Sequence, residues 1–404
     1  MAKIAILGFG TIGKGVFDVI ETNFDTVAKN AGEKIEVAKV VDIRDLSETK
    51  AAKIATKNFD DVVNDGSISL VVECMGGHTL AYEFTKKALM AKKNVVTSNK
   101  EVVCCYGDEL MKLAYENGVS YLFEASVGGG IPIIHPMKNC LSANKINSIS
   151  GILNGTTNFM LTMMNTTGAG FDEALKKAQE LGYAEQDPTA DVDGFDAARK
   201  IAILTSIAVG SHIALEDVSS IEGIRKITAE DVAFAAKADM SIKLLARSVM
   251  DGGKACVYVA PHLVKNSDPL AAVSDVFNAV SVECNMLGRA LFYGKGAGSL
   301  PTASAVVSDV IEAVKSNAEK PVWEERKEGV TLSVEKLETQ FFVRACGSGN
   351  ELYKKVADTF DKPLVLSNEN GKTVAFITGK MTQGKLTEKL KALELSDASV
   401  IRVL

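Results

Sequence analysis

The chain begins with an apolar run, KIAIL, that passes directly into GFGTIGKG. Gly8, Gly10 and Gly13 form a GxGxxG motif between a predicted strand and a predicted helix. Gly8 allows a tight turn, Gly10 allows the backbone to approach a pyrophosphate closely, and Gly13 allows the helix to pack closely on the sheet. The start of the helix then offers free N–H groups to an anion. We therefore predict a dinucleotide site at this turn, formed by Gly8, Phe9, Gly10, Thr11, Ile12 and Gly13.

The segments that follow alternate between strand-like and helix-like patterns of apolar residues. IEVAKVVDI, SISLVVECM, NVVTSNK and VSYLFEASV are typical of strands, whereas AYEFTKKALMAKK and DELMKLAYENG are typical of helices. Alternating strands and helices predict an α/β fold with a Rossmann-type, doubly wound parallel sheet. We assign this dinucleotide-binding domain to residues 1–134, with a returning helix at about 296–320.

Beyond residue 134 the pattern of predicted helices and strands changes. Long helices and separate strands over 135–295 predict an α+β domain for substrate binding, catalysis and dimerisation, and 321–335 has the composition of a linker. Residues 336–404 are predicted as strand, helix, strand, strand, helix and strand, which is the ferredoxin-like βαββαβ order. The segments concerned are QFFVRAC, ELYKKVADTF, PLVLSNENG, KTVAFITG, TQGKLTEKLKAL and ASVIRVL.

The second strand ends in VVDIRD, where a dinucleotide site recognises the adenosine ribose. Asp42 could accept hydrogen bonds from a ribose 2′-hydroxyl, which favours NAD. Arg44 could pair with a 2′-phosphate, which favours NADP. The sequence leaves both possibilities open.

Composition excludes several classes of partner. The net charge is −6 and no basic stripe interleaved with aromatic residues is present, so we expect no nucleic-acid partner. The most apolar helix, IAILTSIAVG, is too short to span a bilayer, so we expect no membrane association. Seven scattered cysteines without a CxxC motif, and no signal peptide, predict a reduced, cytoplasmic protein.

Residues 181–200, LGYAEQDPTADVDGFDAARK, concentrate negative charge just ahead of a helix. One interpretation is a solvated helix face. An exposed Asp196–Lys200 pair would then stabilise the helix by only about 0.3–0.5 kcal/mol. The other is a pocket that grips an ammonium group and holds a proton donor. Pro188 and Gly194 fix the shape of the segment, and the apolar helix after it should be buried, so its charges need partners. A calcium loop is rejected because Lys200 occupies the position of the bidentate glutamate.

This segment resembles the signature of homoserine dehydrogenases. GILNGTTNFML at 151–161, FEASVGGGIPII at 123–134, TSNKE at 97–101 and YGKGAGSLPTASAVVSD at 293–309 resemble the same family, in its order, over roughly residues 1–320. The resemblance implies NAD- or NADP-dependent interconversion of L-homoserine and L-aspartate 4-semialdehyde, in the biosynthesis of threonine, methionine and isoleucine.

The resemblance also implies roles for individual residues. Lys200 would be the proton donor and Lys100 a second catalytic lysine beside the nicotinamide. The substrate would be bound by Glu185, Asp196, Asp191, Tyr183 and Thr156. Further residues at the cofactor would be Ser98, Lys100, Gly182 and Gly298. A monovalent cation, Na⁺, would be held by the backbone at Glu124, Val127, Gly129 and Ile131.

The C-terminal βαββαβ unit resembles an ACT domain, a regulatory module that binds amino acids, and the resemblance implies an effector such as threonine. ACT domains often carry an Asp-x-Pro-Gly-like turn after the first strand, but this chain has RACGSGNELYKK. Subunit assembly is therefore the alternative role. The family implies a homodimer, which the C-terminal unit could extend to a homotetramer.

Two other functions fit parts of the sequence. An aspartate-semialdehyde dehydrogenase would need a nucleophilic cysteine beside a histidine, for which Cys74, Cys104 and Cys105 are the candidates. A sensor without catalytic activity would bind dinucleotide and amino acid without turnover. The presence of Lys100 and Lys200 together with the carboxylates favours an enzyme.

Overall fold

The structure is a computed structural model that describes residues 1–316, 318–347, 349–367 and 373–404. The predicted strands PLVLSNENG and KTVAFITG reach into 368–372, and that part of the prediction lies outside the described residues. So do Ser348 in RACGSGNELYKK and Asn317 in the predicted returning segment at 296–320.

Strands occur along the whole length of the described chain. In chain order they are β1 (Ala2–Leu7), β2 (Ile35–Val41), β3 (Ala55–Thr56), β4 (Ile68–Glu73), β5 (Asn94–Thr97), β6 (Tyr121–Leu122), β7 (Ile146–Ile152), β8 (Ser220–Ile221), β9 (Met240–Asp251), β10 (Lys254–Lys265), β11 (Phe277–Cys284), β12 (Gly288–Lys295), β13 (Gln340–Cys346), β14 (Leu364–Ser367), β15 (Thr373–Ile377) and β16 (Ser399–Val403).

The α-helices make up most of the remaining regular structure. They are α1 (Thr11–Thr22), α2 (Phe24–Ala31), α3 (Asp60–Val63), α4 (Thr79–Met90), α5 (Lys100–Glu116), α6 (Gly155–Thr167), α7 (Phe171–Glu180), α8 (Thr189–Val192), α9 (Phe195–Val209), α10 (Ala229–Lys237), α11 (Ser299–Lys315), α12 (Gly349–Thr359) and α13 (Gln383–Ala392). Short 3₁₀ turns lie at Ala52–Ile54, Glu124–Ser126, Leu215–Asp217 and Val334–Lys336, and a π-helical turn at Pro136–Cys140.

The chain forms two compact units. Unit 1 contains residues 1–146, 202–215 and 284–328, and unit 2 contains residues 147–201, 216–283 and 329–404. Within the part of the chain that the structure describes, no helix combines the length and apolarity needed to cross a membrane.

Unit 1 is built on a parallel sheet with the strand order β3-β2-β1-β4-β5-β6. This is the Rossmann order, so the predicted doubly wound fold is confirmed. Ile4, Ile6, Val72 and Val96 are fully buried in a core that α1 and α11 also enter. Burial on both faces explains why these strands are almost continuously apolar.

The amphipathic segment after the glycine motif forms two helices. α1 ends at Thr22, Asn23 donates its N–H to the carbonyl of Val19, and α2 starts at Phe24. The additional helix α2 accounts for the long interval between Gly8 and Asp42.

The first glycines of the chain are required by close backbone packing. Gly8 has φ +87°, and a Cβ on Gly13 would lie 2.0 Å from the carbonyl oxygen of Gly8. No side chain can be placed there unless the turn or the helix moves.

A buried carboxylate joins the ends of β4 and β5. Glu73 is fully buried, and it accepts hydrogen bonds from the N–H of Met75 at 2.6 Å and from Oγ1 of Thr97 at 2.6 Å. Burial raises the pKa of Glu73 from its usual 4.5 to about 7, against the opposing effect of these hydrogen bonds. A single side chain thus ties together two loops at the carboxyl edge of the sheet.

Unit 2 contains a mixed sheet with the order β11-β7-β9-β10-β16-β13-β15-β14. β9 runs antiparallel to β7 and to β10, whereas β16 runs parallel to β10. The last four strands of the order are antiparallel neighbours, which is the ferredoxin-like arrangement of a βαββαβ segment. The C-terminal segment is therefore continuous, through β16, with the sheet of the preceding residues.

We predict that Gly13→Ala destabilises the folded chain by about 1–3 kcal/mol, because a methyl group at this position overpacks the turn against Gly8. Gly66→Ala is the matched control, since a Cβ at Gly66 meets no atom within 4 Å. Chemical denaturation of both variants measures the difference. Equal unfolding free energies for the two variants would contradict the packing assigned to Gly13.

We also predict a pH-dependent effect of Glu73→Gln on stability. The folded chain binds the Glu73 proton more tightly than the unfolded chain does, so the native state loses stability as the pH rises from 4.5 to about 7. Glutamine does not titrate, so the variant should gain stability relative to the parent chain over this range. Urea denaturation at a series of pH values tests this, and a constant difference would refute the assignment.

Candidate active site

The glycine turn of unit 1 has the features of an anion site. Gly10 is the N-cap of α1, and no side chain among the described residues caps it, so the first N–H groups of the helix have no side-chain acceptor at the cap. A Cβ on Gly10 would have only the Arg44 guanidinium within 4 Å, with Nη2 at 4.0 Å. Ser299, which follows Gly298 at the start of α11, donates its hydroxyl to the carbonyl of Thr11 at 2.7 Å. Gly298 therefore borders the turn.

Asp42 and Arg44 form an ion pair at the end of β2. Asp42 accepts the N–H of Phe9 at 2.7 Å through Oδ2, and both of its oxygens accept from the Arg44 side chain, at 2.9 and 2.6 Å. The hydrogen bonds from Arg44 hold the pKa of Asp42 well below its usual range. The Asp42 side chain is 5% exposed and that of Arg44 is 58% exposed. A ligand at this edge therefore meets a guanidinium that is already held in place.

The loop after β5 positions Lys100. Asn99 caps α5 by accepting the N–H groups of Glu101 and Val102 at 3.1 and 3.2 Å, and it donates to the carbonyl of Gly77 at 2.7 Å. Lys100 is the first residue of this helix, and Ser98 precedes the cap. Sequence reasoning missed Glu73 and Asn99. The available signals were an acid that ends the apolar run SLVVE and an asparagine directly before a helix.

In unit 2, a buried polar cluster forms where β7 leads into α6. Asn154 donates through Nδ2 to Asp191 at 2.7 Å and to Asp196 at 3.0 Å. Lys200 donates to Asp196 at 2.9 Å and to the carbonyl of Leu153 at 2.7 Å. Lys200 and Asp196 are 9% and 6% exposed, so this is not a solvated helix face. We call Asn154, Asp191, Asp196 and Lys200 the acid–lysine cluster.

Two further members of the predicted pocket, Thr156 and Tyr183, contact each other. Thr156 donates its hydroxyl to the carbonyl of Tyr183 at 2.6 Å, and the Tyr183 ring packs edge-on against Phe159 with centroids 5.0 Å apart. Burial raises the pKa of Asp191, and the negative charge of Asp196 adds to this effect. The hydrogen bond from Asn154 opposes the shift.

The other acids of the 181–200 segment have different surroundings. Asp187 accepts the N–H of Thr189 at 3.1 Å, and Asp193 pairs with Arg225 at 2.5 Å. Glu185 and Gly182 are exposed, and within the described residues the Glu185 carboxylate makes no hydrogen bond to the acid–lysine cluster. Asn154, which joins the two aspartates of the cluster, was not predicted from the sequence, although it lies in the quoted motif GILNGTTNFML.

The loop from Glu124 to Ile131 is tightly folded. The Glu124 carboxylate accepts the N–H groups of Ile133, Ile134 and His135 at 2.5 to 2.8 Å, so it is engaged in capping the next turn. Gly129 has φ +57°, and Val127 is fully buried. Among the described residues, no group of three or more His, Cys, Asp or Glu side chains could hold a metal ion. A cation at this loop would depend on backbone carbonyls.

Among the candidate nucleophilic cysteines, Cys74 does not fit a thioester mechanism. Burial raises the pKa of the Cys74 thiol, and the charge of Glu73 raises it further. A nucleophilic cysteine needs the opposite shift. Cys104 is buried, and Cys105 is exposed.

Comparison with known proteins identifies two family regions. The model of the homoserine dehydrogenase NAD binding domain matches residues 8–124, and the homoserine dehydrogenase model matches residues 132–311. The chain is 45% identical to homoserine dehydrogenase of Synechocystis over 77% of its own length and 73% of the relative. It is 41% identical to the Bacillus subtilis enzyme over 78% and 73%.

Solved structures agree with this assignment. A homoserine dehydrogenase from Thiobacillus denitrificans superimposes with a TM-score of 0.91 at 34% identity, covering 100% of this chain and 98% of the other. The S. aureus enzyme gives 0.81 at 33% identity with the same coverage. A hyperthermophilic archaeal homoserine dehydrogenase in complex with NADPH gives 0.66 at 28% identity, covering 79% and 99%. The chain therefore belongs to the homoserine dehydrogenase family and is an NAD(P)-dependent oxidoreductase.

Proposed function

We propose that the chain interconverts L-homoserine and L-aspartate 4-semialdehyde, as a step of threonine, methionine and isoleucine biosynthesis, and that the acid–lysine cluster holds the substrate. The observation that carries this proposal is the buried ion pair between Lys200 and Asp196, at 2.9 Å. Family membership supports the reaction, and the geometry supports the division of roles among the residues.

Lys200 is suited to move a proton at the reacting oxygen. Its ammonium group has three N–H bonds, and Asp196 and the Leu153 carbonyl accept two of them. The third can donate to the aldehyde oxygen during reduction. In the opposite direction, the neutral amine can accept the hydroxyl proton of homoserine.

The charges of the cluster call for a cationic ligand. The cluster contains two carboxyl groups and one lysine, in a mostly buried site. A buried carboxylate is stabilised when a cation pairs with it, and the α-ammonium group of homoserine would supply such a cation. We assign Asp191 and Asp196 to this ammonium group, with Thr156 and Tyr183 beside them. Glu185, on the exposed part of the same segment, would complete the pocket when substrate binds.

The nicotinamide ring, when bound, accepts or supplies the hydride. The chain's part is to bind the dinucleotide through the turn at Gly8–Gly13 and the open start of α1. Ser98, Lys100 and Gly182 would lie at the nicotinamide end, with Lys100 as the second catalytic lysine.

We infer that NADP is preferred over NAD. Both oxygens of Asp42 are engaged by Arg44 and Phe9, so Asp42 has little capacity left for a ribose hydroxyl. Arg44 is fixed, mostly exposed and next to the glycine turn, which suits a 2′-phosphate.

We also propose a monovalent cation, Na⁺, at the backbone of Glu124, Val127, Gly129 and Ile131. Support comes from the tightness of this loop, in which a Cβ on Gly128 would lie 2.3 Å from the carbonyl oxygen of Ile131.

Assembly and location complete the proposal. We infer a homodimer or homotetramer, in which the C-terminal ACT-like unit serves assembly, and binding of an amino acid such as threonine is its alternative role. The seven cysteines are scattered and form no CxxC motif, which supports a reducing cytoplasm.

We predict that Lys200→Ala lowers kcat by about 10²- to 10⁴-fold, the usual contribution of a positioned proton donor. NADPH binding, followed by nicotinamide fluorescence, should not change. Lys177→Ala, which removes an exposed lysine of α7, is the control. Turnover close to that of the parent chain, or loss of NADPH binding, would refute the role of Lys200.

For Arg44→Ala, the expected result is a rise of about tenfold or more in KM for NADP, because a charge-assisted contact to phosphate is lost. KM for NAD should change little. Lys50→Ala removes an exposed positive charge that pairs with Asp18 and Glu21, and it serves as control. Equal effects of Arg44→Ala on the two cofactors would contradict the assignment.

A further inference from the structure

Residues 220–225, which we call the bridging segment, lie against β10 in unit 2. β8 pairs in parallel with β10, with Ser220 opposite Tyr258 and Ile221 opposite Val259. Glu222 then donates its N–H to the Val259 carbonyl at 2.8 Å. The first half of the bridging segment is thus held by the central sheet.

The second half of the bridging segment contacts residues 181–200, which we call the acidic segment. Ile224 donates its N–H to the Val192 carbonyl at 2.8 Å, and Arg225 pairs with Asp193 at 2.5 Å. A Cβ on Gly223 would lie 2.0 Å from the Val192 carbonyl oxygen. The backbone immediately after Asp191 therefore rests directly on the bridging segment.

The C-terminal strand also contacts the bridging segment. Arg402 of β16 donates to the Glu222 carboxylate at 2.8 Å and to Oε1 of Gln383 at 3.0 Å. Its guanidinium lies over the Tyr258 ring, 5.4 Å from the centroid, and its side chain is 7% exposed. Pairing of Arg402 with His262 in the β10–β16 ladder fixes its backbone. Arg402 is thus held by several independent contacts.

We propose that Arg402 and Glu222 are positioning residues for substrate binding. Through the bridging segment they hold residues 191–193 in place, and so they set Asp191 and Asp196 for the substrate ammonium group. Neither residue touches the acid–lysine cluster. The inference rests on the proposed function of that cluster and adds to it a requirement for the C-terminal unit.

The structure provides a matched comparison. A second arginine of the C-terminal unit, Arg344, pairs with Glu230 at 2.9 Å and with Asp231 at 2.6 Å. These acids belong to α10 and not to the bridging segment. Glu222 and Glu230 are each bound by an arginine of the C-terminal unit, and their side chains are similarly exposed, at 45% and 38%. Of the two glutamates, Glu222 is the one that belongs to the bridging segment, which contacts Val192 and Asp193.

The experiment compares Glu222→Gln with Glu230→Gln in the full-length chain, by steady-state kinetics with L-homoserine and NADP and by thermal unfolding. Glu222→Gln should raise KM for homoserine about threefold to tenfold, a usual size for coupling through a packed network, with kcat and KM for NADP nearly unchanged. Glu230→Gln should leave all three parameters unchanged. Arg402→Lys, which keeps the charge but loses the fork of donors, should resemble Glu222→Gln.

Equal values of KM for homoserine in the two glutamine variants would overturn the inference, even if both variants melt earlier than the parent chain. That result would show that the contacts with the C-terminal unit serve stability alone. Absence of turnover in the parent chain would instead refute the proposed function, so the two failures are distinguishable. Gly223→Ala provides a second measurement, because it displaces Val192 directly and should raise KM for homoserine more than Glu222→Gln does.

Discussion

The buried pair of Lys200 and Asp196 is the interaction on which the rest of the site depends. An ion pair removed from water is stable only if its remaining donors and acceptors find partners. Asn154 and the Leu153 carbonyl provide them, and Asn154 also recruits Asp191. The site therefore contains two carboxyl groups beside one lysine, and we propose that it binds a cationic group. The same constraint explains why the acidic segment needs support at residues 191–193, which the bridging segment gives.

The carboxyl edge of the parallel sheet imposes a second constraint, within unit 1. Parallel strands place their following loops at one edge, where ligands of α/β folds bind. The glycine turn, the Asp42–Arg44 pair and the Asn99 cap all lie on such loops, and Glu73 ties two of these loops together. The positions of Lys100 and of the glycine turn thus depend on a few buried polar contacts.

Much of this arrangement could be predicted from local sequence. The alternation of strand-like and helix-like segments predicted the parallel sheet, and the C-terminal segments indicated the βαββαβ order that the described residues have. β9 was missed because MSIKLLARSVM follows the α10 pattern without a turn signal. Asn154 and Glu73 were missed because their partners lie 24 to 42 residues away, and local periodicity carries no information on such contacts. The sequence also could not show that both oxygens of the Asp42 carboxylate accept hydrogen bonds from the Arg44 side chain.

The most direct test of the central claim is the rate of NADPH formation with L-homoserine compared with 4-hydroxybutanoate, which lacks only the α-amino group. If the acid–lysine cluster binds the ammonium group, homoserine is oxidised and kcat/KM for the analogue falls by about 10²-fold or more, because a buried charge is left unpaired. Similar kcat/KM values for the two compounds, or no oxidation of homoserine by folded protein that binds NADP, would contradict the account.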